Sequence, residues 1–501
     1  MSRYLRRVAA HAVSLVLLLL LVPAPAAAAA DTSSPSGRYA AIDAYVRERM
    51  KATRVPGLAY AVVGPDGPVH QRAWGTDGRG RKVTPKTPFL WGSVAKPVAA
   101  TAVMTLVQDH RLSLDDRVAD HVPAFRFGGP AHASRVRVRH LLGQTAGIPA
   151  SATFKVTDCF ADDCPRPAER VSALDDVKPL GPPGAKYAYS SANYLVLAAV
   201  VEAVTRQPFA AYLRRAVLAP AGMDSAVVDR ASARARQLAP GHQYLWGLPA
   251  ATADGVDEHG AAYGYTGGDL GDLAAFAALQ LRAGDGDTSV LTPASVRATR
   301  TEGRLRPSGE GTGYGLGWRV GGLDAPLDRA VWHTGGTPGY AGMLFLLPER
   351  NIALVLHQNL YELLDDDEVM KVGFGAARIL AGGAAPSSGT AWLSPYVLTL
   401  WGTTALAVLL LGAAVRSVFL LRRPVARPSR VRRLLGALPW CLTAAVVPVA
   451  VLLFADGMSP GQLWTWAPDV LIAAAGAAVA GLVTVALRAV HVIRPARTGD
   501  E

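Results

Sequence analysis

The stretch Trp91-Gly92-Ser93-Val94-Ala95-Lys96-Pro97 carries the reading of this chain. Ser93 and Lys96 stand at i and i+3, so on a helix their side chains share one face about a turn apart, and the amine can take the hydroxyl proton. Pro97 has no N–H to donate to the Ser93 carbonyl, which places the expected helix start near Ser93. There the free amides and the dipole of a first turn stabilise negative charge developing on a substrate oxygen. Lysine serves as a base only where burial or neighbouring positive charge lowers its pKa toward the working pH. A Ser-x-x-Lys spacing recurs by chance, so its weight comes from what surrounds it.

Working outward, the flanks read as one sheet divided across the sequence. Residues 40–51 place Ile42, Tyr45, Val46 and Met50 at helical spacing, and Pro56 and Gly57 end the pattern. Strand-like runs at 58–63 and 69–74 are joined by Gly64-Pro65-Asp66-Gly67, which predicts a hairpin. From 97 to about 282 the pattern is mostly helical, interrupted by proline- and glycine-rich loops. Strand-like runs return at 330–332, 340–347 and 352–357, and a helical run over 368–380 follows. An early hairpin and a late set of strands, separated by helices, predict a mixed α/β (α+β) domain over 31–385. Its antiparallel sheet is assembled from both ends of the domain and joined by a mostly helical subdomain.

Two further segments accompany Ser93 and Lys96. One is Pro183-Gly184-Ala185-Lys186-Tyr187-Ala188-Tyr189-Ser190-Ser191-Ala192-Asn193-Tyr194. The other is Tyr314-Gly315-Leu316-Gly317-Trp318, followed by Trp332-His333-Thr334-Gly335-Gly336. Flanking them are Leu112-Ser113-Leu114-Asp115-Asp116 and Arg139-His140-Leu141-Leu142, the latter leading to Ala146-Gly147-Ile148-Pro149. In this order the chain resembles the serine beta-lactamase-like family, which groups class C beta-lactamases, D-alanyl-D-alanine carboxypeptidases, D-aminopeptidases and related esterases. The likeness runs from about Ile42 to about Leu380.

The resemblance implies that Ser93 is the acylated nucleophile, that Lys96 is its base or proton relay, and that Tyr189 shuttles a proton toward the leaving group. It further implies that the strand of His333 and Thr334 lines one edge of the cleft, with the backbone N–H groups of Ser93 and Gly336 as the oxyanion hole. Gly335 and Gly336 tolerate the close backbone approach this needs. Two positions depart from the family pattern. The middle motif usually ends in Asn, whereas Ser191 cannot make the paired donor and acceptor contacts of an amide. The third motif of penicillin-directed members usually begins with lysine, and His333 replaces that fixed charge with a group mostly neutral near pH 7. The first weakens recognition of a substrate amide; the second resembles the D-aminopeptidase and esterase branches and favours an ester or a D-amino-acid peptide, including a cell-wall peptide, over a beta-lactam.

The 501 residues are half hydrophobic and 18% charged, which excludes a disordered tail or a fibrous repeat. Of the net charge of +12, three units lie in Arg3, Arg6 and Arg7 and six in residues 395–501, so it reports membrane topology rather than a nucleic-acid groove. Residues 1–30, basic and then apolar and ending in alanines, read as a secretory signal. A linker is placed at 386–395, next to a Gly-, Ala-, Pro- and Ser-rich run over 381–390. Residues 396–501 read as a membrane region with three spans near 396–415, 434–454 and 470–487. Seven arginines from Arg416 to Arg433 lie between the first two spans and Asp456 between the last two, so the positive-inside rule puts 31–394 outside and the C-terminus in the cytoplasm.

In that oxidising setting Cys159 and Cys164 are a candidate disulfide. No Cys or His spacing resembles a metal site, and no motif calls for a cofactor. The expected partners are a small-molecule or peptide substrate and membrane lipid. The leading expectation is a membrane-anchored extracytoplasmic serine hydrolase. The alternative is a penicillin-binding-type sensor that is acylated without efficient turnover.

Overall fold

The computed structural model describes residues 34–282, 290–304, 312–387, 393–422, 430–454 and 458–494, so the expected leader over 1–30 lies outside the described residues. The first helix, α1 (Pro35–Thr53), starts earlier than its apolar spacing requires. Ser34 caps it, accepting from the Gly37 N–H at 3.1 Å, and Pro35 occupies the first turn. The hairpin forms as β1 (Gly57–Gly64) and β2 (Gly67–Gly75). The late strands are β3 (Gly313–Tyr314), β4 (Arg319–Val320), β5 (Val331–Thr337), β6 (Tyr340–Leu347) and β7 (Ile352–Gln358). Together they build one seven-stranded antiparallel sheet in the order β2-β1-β7-β6-β5-β4-β3. The seam joining the two ends of the domain is β1 against β7, with Ala61 opposite Val355.

β1 and β6 are buried along their whole length because both faces of the sheet are covered. Alternate residues divide between the two layers. Ala59, Ala61, Val63, Leu344 and Val355 face a core shared with α2 (Ala95–Gln108), α3 (Ala192–Thr205) and α4 (Leu270–Arg282). Leu58, Tyr60, Val62, Met343 and Phe345 face Ile42 and Val46 of α1 and Val369, Val372 and Ala376 of α5 (Asp366–Leu380).

Beyond α5 come α6 (Pro395–Arg422), α7 (Arg430–Phe454), the short α8 (Pro460–Trp466) and α9 (Pro468–Ile493). Among the described residues two helices, α6 and α9, are long and apolar enough to cross a membrane. Two of the three expected spans thus have a helix that meets this test, and the middle stretch is the helix α7, several of whose side chains lie outside the described residues. The three helices meet through small side chains, Ala444 of α7 and Ala474, Ala477 and Ala480 of α9 packing with Leu410 of α6.

The first turns of α6 and α9 continue the core of the sheet-containing domain: Tyr396, Leu400, Trp466 and Ala473 join the layer containing α1 and α5. A polar clamp fixes the contact. Asp469, fully buried at the start of α9, accepts from the Tyr396 hydroxyl at 2.7 Å and from the Trp246 N–H at 3.0 Å. Trp246 sits at the turn of the hairpin Gly241–Leu245 and Leu248–Ala253, and Gln243 of that hairpin donates to the Thr465 carbonyl at 2.7 Å.

Candidate active site

Ser93 lies in the 3-10 turn Gly92–Val94 that leads directly into α2, with Pro97 in the first turn of the α-helix, as the proline argument requires. Gly92 has φ +55, and a Cβ there would run into the backbone of Gly335 and Gly336. In the other direction, a Cβ on Gly335 would overlap the Ser93 nitrogen, and one on Gly336 would overlap the Tyr361 ring. Gly92 and Gly335 thus let β5 press its backbone against the turn of Ser93, and Gly336 leaves room for the Tyr361 ring.

Lys96 is fully buried, and its Nζ lies 2.8 Å from Ser93 Oγ, 3.1 Å from Ser191 Oγ and 2.7 Å from the Tyr263 carbonyl. Burial holds its pKa well below the usual lysine range, and the positive charge of Arg319 lowers it further. A neutral amine fits these partners: it donates to the Tyr263 carbonyl and to Ser191 and accepts the Ser93 hydroxyl proton on its lone pair. Ser191, expected from sequence to touch substrate, is thereby also a partner of the amine. It is held by its own N–H, which donates to Thr153 Oγ1 at 3.2 Å.

The turn carrying Tyr189 is fixed by Gln144, whose Oε1 accepts from the Ser190 N–H at 3.0 Å and from Asn193 Nδ2 at 2.6 Å. The Tyr189 ring lies beneath Lys96 Nζ at 5.0 Å, and against the effect of burial Ser93 beside it pulls the phenol's pKa down. Burial pushes the phenol up, so at rest it is a proton carrier rather than a base. Thr334, Gly335 and Gly336 border the cleft beside Ser93. The His333 side chain does not border it. Strand alternation turns the ring away, where Nδ1 lies 2.6 Å from the Thr334 carbonyl and Nε2 lies 3.1 Å from the Tyr314 hydroxyl. Burial, then Arg319 and Lys96, hold this histidine well below its usual pKa, so it is neutral.

The cleft encloses about 290 Å³. Sequence reasoning missed several of its walls. Arg319 of β4 borders it, its guanidinium 5.4 Å from the centre of the Tyr189 ring, and supplies the cation that His333 does not. Its only signal was its place directly after the quoted Tyr314–Trp318 motif. Asp158 and Trp466 also line it. Asp158 is buried and accepts from the Tyr265 hydroxyl at 2.7 Å and from Trp466 Nε1 at 3.0 Å; burial pushes its carboxyl up to about 6 against the pull of those donors. Next to it Cys159 and Cys164 are joined as a disulfide with Cα atoms 5.9 Å apart, and Arg170 grips Asp257 through two bonds of 2.7 and 2.8 Å. Among the described residues no group of three or more His, Cys, Asp or Glu could hold a metal ion.

A sealed amine against an accessible hydroxyl, with glycine backbone alongside, can carry acyl transfer. The beta-lactamase family profile matches residues 42–372. Penicillin-binding protein 4 of Amycolatopsis lactamdurans is 33% identical over 331 residues, covering 63% of this chain and 85% of that protein. The octameric penicillin-binding protein homologue from Pyrococcus abyssi superposes with a TM-score of 0.59 at 22% identity, over 72% of this chain and 80% of that one. EstCE1, described as a hydrolase with promiscuous acyltransferase activity, gives 0.56 at 19% identity, over 67% and 97%. These two structures speak for the fold. The profile and the Amycolatopsis relative together span nearly the whole catalytic domain, from α1 into α5, and on that ground the chain belongs to the beta-lactamase family.

Proposed function

We propose that this chain is a serine hydrolase that cleaves an ester or amide through an acyl-enzyme on Ser93, tethered to a membrane by α6, α7 and α9 with its catalytic domain on the extracytoplasmic side. The observation that carries the chemistry is the buried Lys96 amine 2.8 Å from Ser93 Oγ, its pKa lowered by burial. Ser93 Oγ bonds to the carbonyl carbon as its proton passes to Lys96. The carbonyl oxygen takes up the negative charge facing the amides of Ser93 and Gly336. Collapse breaks the bond to the leaving group, which receives the proton from Lys96 by way of Tyr189. Water then attacks the acyl-enzyme, gives up its proton along the same route, and Ser93 is restored.

The tether rests on the length and apolar character of α6 and α9. The arginines at the far ends of α6 and α7, Arg416, Arg422, Arg430, Arg432 and Arg433, support a cytoplasmic connection. The penicillin-binding relative brings peptides and beta-lactams into the candidate substrates. Arg319 offers a substrate positive charge on one side of the cleft, whereas Ser191 in the middle motif weakens the grip on a substrate amide and argues for an ester. Ser93→Ala is expected to abolish p-nitrophenyl acetate hydrolysis with the thermal unfolding midpoint unchanged, and retained turnover would remove Ser93 from the chemistry. Nitrophenolate released well beyond one equivalent by the native protein separates an enzyme from a sensor that is acylated once.

A further inference from the structure

The cleft does not close behind Ser93. Arg319, Thr334, Leu363, Asp366 and Met370 border both the cleft and a second hollow of about 920 Å³. The far rim of that hollow is Leu393, Ser394 and Pro395, where α6 begins. Much of its wall is apolar, with Trp332, Leu364 and Phe374 half-buried along it. Past Pro395 the outer face of α6 is apolar and open: Leu398 and Trp401 are 57% and 52% exposed, and Leu393 itself is 52% exposed. On the other flank of the cleft stands Trp466, with α9 starting two residues later at Pro468. α9 therefore begins beside the cleft and α6 at the hollow that adjoins it, and Leu363, Met370, Phe374 and Leu393 set apolar side chains between the cleft and the band of α6 that would face lipid.

We propose that the substrate is an amphiphile anchored in the bilayer: its head presents the scissile ester or amide to Ser93 while its alkyl chain lies over Met370, Phe374 and Leu393. This rests on the hydrolase and membrane readings given above. Such a substrate need not leave the membrane, because the hollow meets it at the surface and spares the exposure of its chain to water. The charges around the hollow narrow the head group. Asp365, Asp366, Asp367 and Glu368 outnumber Arg319 and Lys371, so a neutral or cationic head is favoured over an anionic one.

The full-length protein in phosphatidylcholine nanodiscs provides the test. Two tailed esters, 4-nitrophenyl palmitate with its chain on the acyl side and hexadecyl acetate with its chain on the alcohol side, are compared with 4-nitrophenyl acetate and ethyl acetate. At least one tailed ester is expected to exceed its short counterpart about tenfold or more in kcat/KM. Partitioning into the disc raises tailed rates whatever the protein surface, so Leu393→Asp is measured in the same discs and is expected to cut that tailed-to-short ratio about fivefold. Short esters turned over with no preference for either tail, or a ratio that Leu393→Asp leaves unchanged, would overturn the proposal. Absence of turnover for every ester would instead sink the hydrolase reading beneath it.

Discussion

Lys96→Met keeps an unbranched side chain of similar length and removes the amine, and the structure sets both halves of the outcome. On the chemical side, Nζ is sealed from solvent 2.8 Å from Ser93 Oγ, and the neighbouring phenol of Tyr189 is pushed up by burial, so no ready base takes its place. Losing a positioned general base lowers a rate by about 10²–10⁴, which is roughly 3–5 kcal/mol at about 1.4 kcal/mol per decade. On the folding side, the Tyr263 carbonyl loses its 2.7 Å donor, at a cost of about 1–3 kcal/mol for a buried group left unpaired. Against that, an apolar chain ends the penalty of holding neutral in the fold an amine that is charged in the unfolded chain, and each unit by which burial lowers that pKa costs about 1.4 kcal/mol. The two contributions nearly cancel, so the variant is expected to fold with a near-native unfolding midpoint while fluorophosphonate labels Ser93 about 100-fold more slowly or worse. Intact mass against time measures the labelling and calorimetry the fold. A folded Lys96→Met protein labelled at the native rate would refute Lys96 as the base.

Two further outcomes follow from the same geometry. Gly335→Ala puts a methyl where the Ser93 nitrogen stands, so β5 or the nucleophile turn must shift; kcat/KM for p-nitrophenyl acetate is expected to fall about 100-fold or more, the scale of an ångström misplacement. The neutral form of Lys96 is the active one, so activity is present above its lowered pKa and lost on acidification through it. Arg319→Gln removes a positive neighbour that holds this pKa down, so the acid limb of the kcat/KM profile is expected to move to higher pH, and an unmoved limb would show that Arg319 does not tune the amine.

What the sequence made legible was whatever is decided within a few residues. Ser93 and Lys96 share one helical turn, so their meeting needs no knowledge of the rest of the chain. The hairpin over 57–75 and the late strands carry their own turn residues and β-rich runs, and their joining followed from the need to cover a sheet at its edges. The orientation of His333 was less accessible: the motif places the strand at the cleft, but alternation along β5 decides which side chains border it, and that depends on the register with β6. Arg319, Asp158 and Trp466 were not legible as site residues because each reaches the cleft from a distant segment, and no local pattern records such convergence. In the sequence Trp466 falls in the short connection between the expected second and third spans. Its role as a wall emerges only from the clamp at Asp469 that draws α9 against the 241–253 hairpin.

The pairing of β1 with β7 also bears on how such a chain is made. In a protein threaded across a membrane N-terminus first, the strand emerging earliest waits for the seventh before its sheet has a partner at that seam, some 290 residues later. Trp466 arrives later still, after α7 has been laid down. On the proposed topology the Ser93 hydroxyl would stay without its assembled surroundings until the late strands and α9 had been made, and the order of synthesis itself would keep the proposed hydrolase silent until then.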